Sequence, residues 1–324
     1  MSGQNTEIVT PAVTVPRPAE ASCSMSKLNV VVALTTQDND YQGEQAASAV
    51  EAASRLGVKL TLVYGDKDAV NQSQQLVKIV QDRAQRPDAI LVEPVGTAMP
   101  QVAKAAVSAG IGWVILNREA DYISDLRHTA TAPVFAVDPD QEEVGRIQGQ
   151  QLAVLAPEGN VLYIEGPSSH SAANLRTRGF LATKPQAVVA KTLKGDWSER
   201  SGQRAIRSWL SLSTSHQLDI RAVVCQNDCM ALGARKALIE LPAGERKSWL
   251  DIPFIGCDGV RKTGQEWVRA GQLRATVVIP PIAGLALEML VKALDSGSMP
   301  AERTLCSPRS FPAIADLGAL AARA

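Results

Sequence analysis

Residues Ala222 to Ala234 read AVVCQNDCMALGA. Ala222, Val223 and Val224 form a short apolar run of the kind that builds a buried strand, and Asn227 and Asp228 follow at once. Met230, Ala231, Leu232 and Ala234 then fall at helical spacing. A strand turning directly into a helix is half of a βα unit, and in open α/β sheets ligands bind beyond the carboxyl ends of the strands, at such turns. Asn227 is therefore placed to face a crevice. Asp228, at the helix start, reads as a cap or loop support ahead of a ligand contact.

The same alternation runs along most of the chain. From Leu28 there is a strand (LNVVVAL), a helix with Ala46, Ala49, Val50, Ala53 and Leu56 on one face, and a strand (VKLTLVY). A helix around Leu76, Val77 and Val80 follows, then a strand at Asp88 to Val92, a helix from Met99 to Ala109 and a strand at Trp113 to Leu116. After a loop containing Asp121 to Thr131 the pattern resumes with VFAV at Val134, a helix through Val144, Ile147 and Leu152, and the strand NVLYIE. A helix near Leu175 to Ala182, the strand AVVAKTL and a helix carrying Ile206 and Leu210 lead into the segment quoted above. PFIG at Pro253, a helix through Trp267 and the strand LRATVVI complete the series. Pro280-Pro281 then breaks the chain before an amphipathic helix with Ile282, Leu285, Ala286, Met289, Leu290 and Ala293 on one face. Glu288 and Lys292 argue against a membrane span there. Strands alternating with helices give right-handed crossovers and parallel sheets covered on both faces, so the predicted fold class is α/β with two doubly wound parallel-sheet lobes.

Composition narrows the partners. With 324 residues, 45% of them apolar and 20% charged, the chain buries a large core and suits two globular units. Its 33 basic and 33 acidic side chains balance, which gives no electrostatic reason to expect a nucleic-acid or membrane-surface partner. The five cysteines, Cys23, Cys225, Cys229, Cys257 and Cys306, include no CxxC pair and read as reduced thiols, with Cys225 and Cys257 placed to line the crevice. Residues Met1 to Ser26 read as a disordered tail without an export signal, which favours the cytoplasm for the chain as written.

Four words in order resemble the type 1 periplasmic binding protein superfamily: LNRE (Leu116 to Glu119), SAANLRTRGF (Ser171 to Phe180), QNDCMALGA (Gln226 to Ala234) and FIGCDG (Phe254 to Gly259). That superfamily includes ribose- and galactose-binding proteins and the effector domains of lactose-repressor-type regulators. The resemblance implies a periplasmic binding protein type 1 fold with a three-segment hinge, crossing near Ala136 to Asp138, Ile279 to Pro280 and Ala301 to Thr304. The lobes implied are 27–136 with 280–302 and 137–279 with 303–324, after the tail 1–26. It also implies a solute held between lobes that close over it, with no chemistry on the solute and no cofactor or metal. The family's usual place is the periplasm.

Carried over residue by residue, the resemblance suits a polyhydroxylated solute. Asn39 and Tyr41 follow the first strand, where Tyr41 could stack on a sugar face and Asn39 supply a donor and an acceptor. Gln42 stands where the ribose-binding pattern has a second aromatic, and Asn117-Arg118 replaces the common Asp-Arg pair. Arg176 is implied to point into the cleft from the second lobe, Trp197 aligns with an aromatic platform, and Asn227 and Asp258 offer hydrogen bonds at neighbouring strand ends. Ile279 falls where some sugar binders carry Gln. Against these stand structural readings: Arg118 and Arg176 as ion-pair partners, Trp197 as lobe packing, and Glu142-Glu143 as a solvated first helical turn.

Enzyme signatures are missing: there is no GxSxG, GxxxxGK[ST] or GxGxxG, and His128, His170 and His216 share no metal-ligand spacing. The loop GPSSHS, Gly166 to Ser171, precedes a helix and offers an opening for an anionic solute through Ser168, Ser169 and Ser171. The expected function is a solute-binding protein for a sugar or sugar-like molecule, working with an ABC permease if exported. The alternative is an intracellular ligand sensor without a DNA-binding domain of its own, signalling through a partner protein.

Overall fold

In the computed structural model, residues 28–96, 99–213 and 218–321 are described. The expected tail, Cys23 and His216 lie outside them. The first sheet contains β1 (Asn29–Leu34), β2 (Lys59–Tyr64), β3 (Ala89–Val92), β4 (Gly112–Leu116), β5 (Val134–Pro139) and β11 (Arg303–Cys306), in the order β11-β5-β4-β3-β1-β2. Every pairing in it is parallel. β1 shows why it forms: Val31 and Ala33 enter one core cluster while Val30, Val32 and Leu34 enter the other, so the period of two buries both faces.

The second sheet orders β6 (Gly159–Glu165), β7 (Val188–Lys194), β8 (Ile220–Cys225) and β9 (Phe254–Ile255) as β7-β6-β8-β9, again parallel. Its edge continues through isolated bridges from Ile255 to Ala275 and Asp258 to Val278, reaching β10 (Thr276–Val278), which pairs antiparallel with β12 (Arg309–Phe311). Among the described residues no helix is long and apolar enough to cross a membrane.

Two lobes of α/β architecture result, but the expected boundaries move. β5 stays in the first sheet through Pro139, because Val137, Asp138 and Pro139 pair with Thr304, Leu305 and Cys306 of β11. The boundary expected at 136/137 thus falls inside β5, and the one expected at 302/303 would hand all of β11 to the second lobe, although the two strands are ladder partners in the first sheet. The chain instead changes lobes after Pro139, between Val278 and Ala283, and between Cys306 and Arg309. Two local expectations also change. The loop expected over Asp121 to Thr131 contains α4 (Ile123–Thr129), held by buried Ile123 and Leu126, and the strand expected over Leu273 to Ile279 shortens to β10.

Two helices beside the sheets start at asparagine side-chain caps. α1 (Asp40–Leu56) follows Asn39, whose side chain accepts from the backbone N–H of Gln42, and it ends at Gly57 with φ 70°. α8 (Asp228–Ile239) follows Asn227, capping in the same way at Met230. In the second lobe α5 (Gln141–Leu155) and α6 (Ser171–Thr183) cross backbone to backbone. A Cβ at Gly145 would lie 1.9 Å from the Arg176 carbonyl oxygen, and one at Gly179 would lie 1.9 Å from that of Glu142. That crossing carries Arg176, so close helix approach sets where its guanidinium lies. We expect Gly145→Ala or Gly179→Ala to lower stability by about 1–3 kcal/mol through overpacking, read from the urea midpoint. Gly43→Ala, with nothing within 4 Å of its added carbon, should be neutral or slightly stabilising by the same measurement.

Candidate functional site

Because both sheets are parallel, their carboxyl-end turns converge between the lobes, and a cavity of about 480 Å³ lies there. That is within the roughly 300–1,000 Å³ of small-molecule sites. Thr35 and Thr36 reach it from the end of β1, Glu93 and Val95 from β3, and Asn117 and Arg118 from β4. From the second lobe come Pro167 and His170 after β6, Asp196, Trp197 and Ser198 after β7, Asn227 after β8 and Asp258 after β9.

Nine of the ten residues singled out in the sequence line this cavity: Asn39, Tyr41, Gln42, Asn117, Arg118, Arg176, Trp197, Asn227 and Asp258. Ile279 does not. It is 3% exposed and packs with Tyr41, Val144, Ile147, Cys257, Val260 and Val277, an apolar cluster where the chain passes between lobes. Cys225 and Cys257 are fully buried in apolar clusters and are not part of the lining. The serines expected to hold an anion also miss it, since Ser168 and Ser169 are exposed and that loop meets the cavity through Pro167 and His170.

Several lining residues spend their polar atoms on support. The Asn227 amide donates to the Trp197 carbonyl at 2.8 Å while its oxygen caps α8. Tyr41 donates its hydroxyl proton to the Pro280 carbonyl at 3.3 Å and accepts from Gln45 at 3.0 Å, so its hydroxyl ties the first lobe to a crossover. Asp228 accepts from the Gly259 N–H at 2.8 Å and from the Thr276 hydroxyl at 2.7 Å, the supporting role read in the sequence. Burial pushes its carboxyl well above the usual range.

Glu93 was not foreseen. It is 2% exposed, and its two carboxylate oxygens accept from Gln42 and Asn117, each at 2.9 Å. Arg118 Nη2 stands 3.9 Å from the same carboxylate, so the acid missing at position 117 is supplied by the neighbouring strand. The available signal was a glutamate immediately after the apolar run AILV, at the same end of a strand as Asn117 and Asp258.

Arg176 and Asp258 mirror that arrangement in the second lobe. Arg176 Nε donates to Gln141 at 2.8 Å, its Nη1 donates to the Gln226 carbonyl, and Asp258 Oδ1 lies 3.8 Å from Nη1. Arg176 is buried and Asp258 only partly so, with 14% of its side chain exposed at the cavity, and Asp258 holds φ 97°, a strained backbone beside the arginine. Among the described residues, Arg118 Nε is buried without a hydrogen-bond partner. Three cations, Lys67, Arg118 and Arg176, face four carboxylates, Asp38, Glu93, Asp196 and Asp258, so the lining carries no excess positive charge to draw an anion. Among the described residues no cluster of three or more His, Cys, Asp or Glu is placed to hold a metal.

Residues 30–298 match the family described as periplasmic binding protein domain. The chain is 29% identical over 287 residues to the ribose import binding protein of Salmonella typhimurium, covering 86% of this chain and 89% of that protein. It is 30% identical over 249 residues to the xylitol-binding protein of Mycolicibacterium smegmatis, covering 74% and 65% respectively. Its fold matches that of an ABC transporter solute binding protein from Bacillus halodurans, solved with bound myo-inositol, at a TM-score of 0.73 and 23% identity, over 92% of this chain and 98% of that one.

Burial pushes the Asp258 carboxyl up to about 7, against the opposing pull of Arg176. A carboxyl raised above its unfolded value of about 3.9 adds stability in its protonated form; that contribution is complete below the unfolded value and is lost as pH rises through the folded one. Asparagine does not ionise. The melting temperature of Asp258→Asn minus that of wild type should therefore rise between about pH 4 and pH 7 in solute-free protein and level off above, and a flat difference would place the carboxyl back in the ordinary range.

Proposed function

Because the chain belongs to the periplasmic binding protein family, we propose that it captures a neutral polyhydroxylated solute, a sugar or polyol, in the cleft and serves as the solute-binding component of an ABC importer. The observation that carries this is the facing pair of charge-balanced walls. Glu93 with Arg118 stands on one lobe and Asp258 with Arg176 on the other, each carboxylate within 4 Å of its guanidinium. A hydroxyl both donates and accepts, so it suits a wall that offers a carboxylate and a guanidinium side by side. An isolated anion would meet carboxylates on both walls.

Closure follows from the division of these contacts. A solute bonded to both lobes gains its full set only when they approach, so it shifts the population toward the closed form by its differential affinity. Trp197 offers an apolar face for the C–H side of a sugar ring. No bond of the solute changes, which agrees with relatives named as binding proteins. Ribose, xylitol and myo-inositol, named for those relatives and for the Bacillus halodurans structure, share neutral charge and several hydroxyls. Gln42 and Asn117 in place of the ribose pattern's aromatic and aspartate favour a member of this class other than ribose itself. The sensor alternative draws no support from these relatives.

Two outcomes check the proposal. Neutral sugars and polyols, among them D-ribose, xylitol and myo-inositol, should raise the melting temperature by mass action, and D-gluconate should do so less. Asp258→Ala should weaken binding of the most effective of them by roughly tenfold or more while circular dichroism stays native, since a hydrogen bond to a charged group contributes about 1.5–3 kcal/mol. A wild-type protein that responds to no neutral polyol would sink the assignment.

A further inference from the structure

His170 precedes α6, and its backbone is fixed by bonds at both ends. Its N–H donates to the Pro167 carbonyl at 3.0 Å and its carbonyl accepts from Ala173 at 3.1 Å. The imidazole lies at the cavity wall, with Nδ1 2.9 Å from the indole Nε1 of Trp197 and 3.4 Å from Nη2 of Arg118. Neither an indole N–H nor a guanidinium has a lone pair to offer, so Nδ1 is the acceptor for both and the ring proton sits on Nε2. The two donors come from different lobes: Trp197 follows β7 in the second and Arg118 follows β4 in the first. One residue further along each chain segment, the Glu119 N–H approaches the Ser171 hydroxyl at 3.5 Å, so the lobes meet along this rim.

Trp197 needs such fixing. It holds φ 71°, a strained conformation for a bulky residue, and its carbonyl is pinned by Asn227. Its ring packs so closely on Gly166 that a Cβ there would lie 2.1 Å from it, and the Arg176 guanidinium carbon sits 5.4 Å from its centroid. Backbone, glycine and guanidinium restrict the ring, and among the described residues it is His170 that bonds its polar edge.

We propose that His170 is a positioning residue: its neutral imidazole fixes the Trp197 indole as a wall of the cavity and, through the same nitrogen, clasps Arg118 from the opposite lobe. Wall orientation and lobe approach are thereby coupled, because the nitrogen that steadies the indole also accepts from Arg118 of the other lobe. Burial and the neighbouring Arg118 charge hold the imidazole down at about 4, so it keeps its free lone pair throughout the neutral range. The role rests on the cleft being the solute site, as proposed above.

The full chain labelled with 15N at its indole nitrogens tests it without any solute. The Trp197 Nε1–H resonance, assigned by its loss in Trp197→Phe, should be protected from solvent exchange in wild type. His170→Ala should abolish that protection and move the resonance, whereas His170→Asn, whose amide oxygen can take the place of Nδ1, should retain most of it. Affinity for D-ribose, xylitol or myo-inositol, whichever wild type binds, should fall about tenfold in His170→Ala and recover in His170→Asn. An indole resonance and exchange rate untouched by His170→Ala, or a His170→Asn protein as impaired as His170→Ala in both readouts, would overturn the proposal. If no neutral sugar or polyol binds wild type, the proposed function fails, while the indole resonance still decides the role of His170.

Discussion

A hydrogen-bonded chain of side chains beneath the cavity holds the site together. It runs from Gln42 to Glu93, from Glu93 to Asn117, from Asn117 to Gln141 at 2.7 Å, and from Gln141 to Arg176 at 2.8 Å. Gln226 extends it, accepting from Arg176 through its carbonyl and donating from its amide to Tyr163, Ala173 and Thr177. Glu93 belongs to the first lobe and Arg176 to the second, so a buried anion and a buried cation are joined across the molecule by neutral amides. Each charge would be costly alone in so dry a place, and the amides satisfy them without collapsing the two onto each other. The carboxylates and guanidiniums are therefore already oriented before any solute arrives, which limits the entropy that binding has to overcome.

The same economy governs the crossovers. Gln45 in α1 accepts with one oxygen from the backbone N–H groups of Ile282 and Ala283, at 2.8 and 2.9 Å, and donates to Tyr41. Tyr41 in turn reaches Pro280, where neither Pro280 nor Pro281 has an N–H to offer. Ile279 and its apolar neighbours fill the space beneath. At the β5–β11 pair, Arg303 bonds Asp138 at 2.7 Å and Glu119 at 3.0 Å, linking another crossover to the loop that carries Arg118. The hinge segments and the cavity wall are thus mechanically one object.

Much of this was legible in the chain. Period-two and helical patterns located most strands and helices, and strand-end polar residues pointed to Asn117, Asn227 and Asp258 because side chains at those turns cannot belong to either core face. Errors gathered where local pattern carries no information about pairing. Ile279 looked like a site position by alignment with sugar binders, yet a side chain one residue past β10 points into the hinge core. Glu93 went unnoticed because one glutamate after an apolar run is ordinary; its meaning depends on Gln42 and Asn117 arriving from other strands.

The sequence by itself determined the α/β alternation, the likeness to solute-binding proteins and most of the cavity-lining residues, because hydrophobic periodicity and short capping words are local properties of the chain. Tertiary structure alone decided that β11 returns to the first sheet, that an acid from β3 serves the arginine after β4, and that one imidazole meets both Trp197 and Arg118. Those facts depend on strand order and lobe contact, which bring together residues as distant as Arg118 and His170. No spacing along the chain encodes such a meeting, since it is the packing of parallel sheets that sets which strand ends become neighbours.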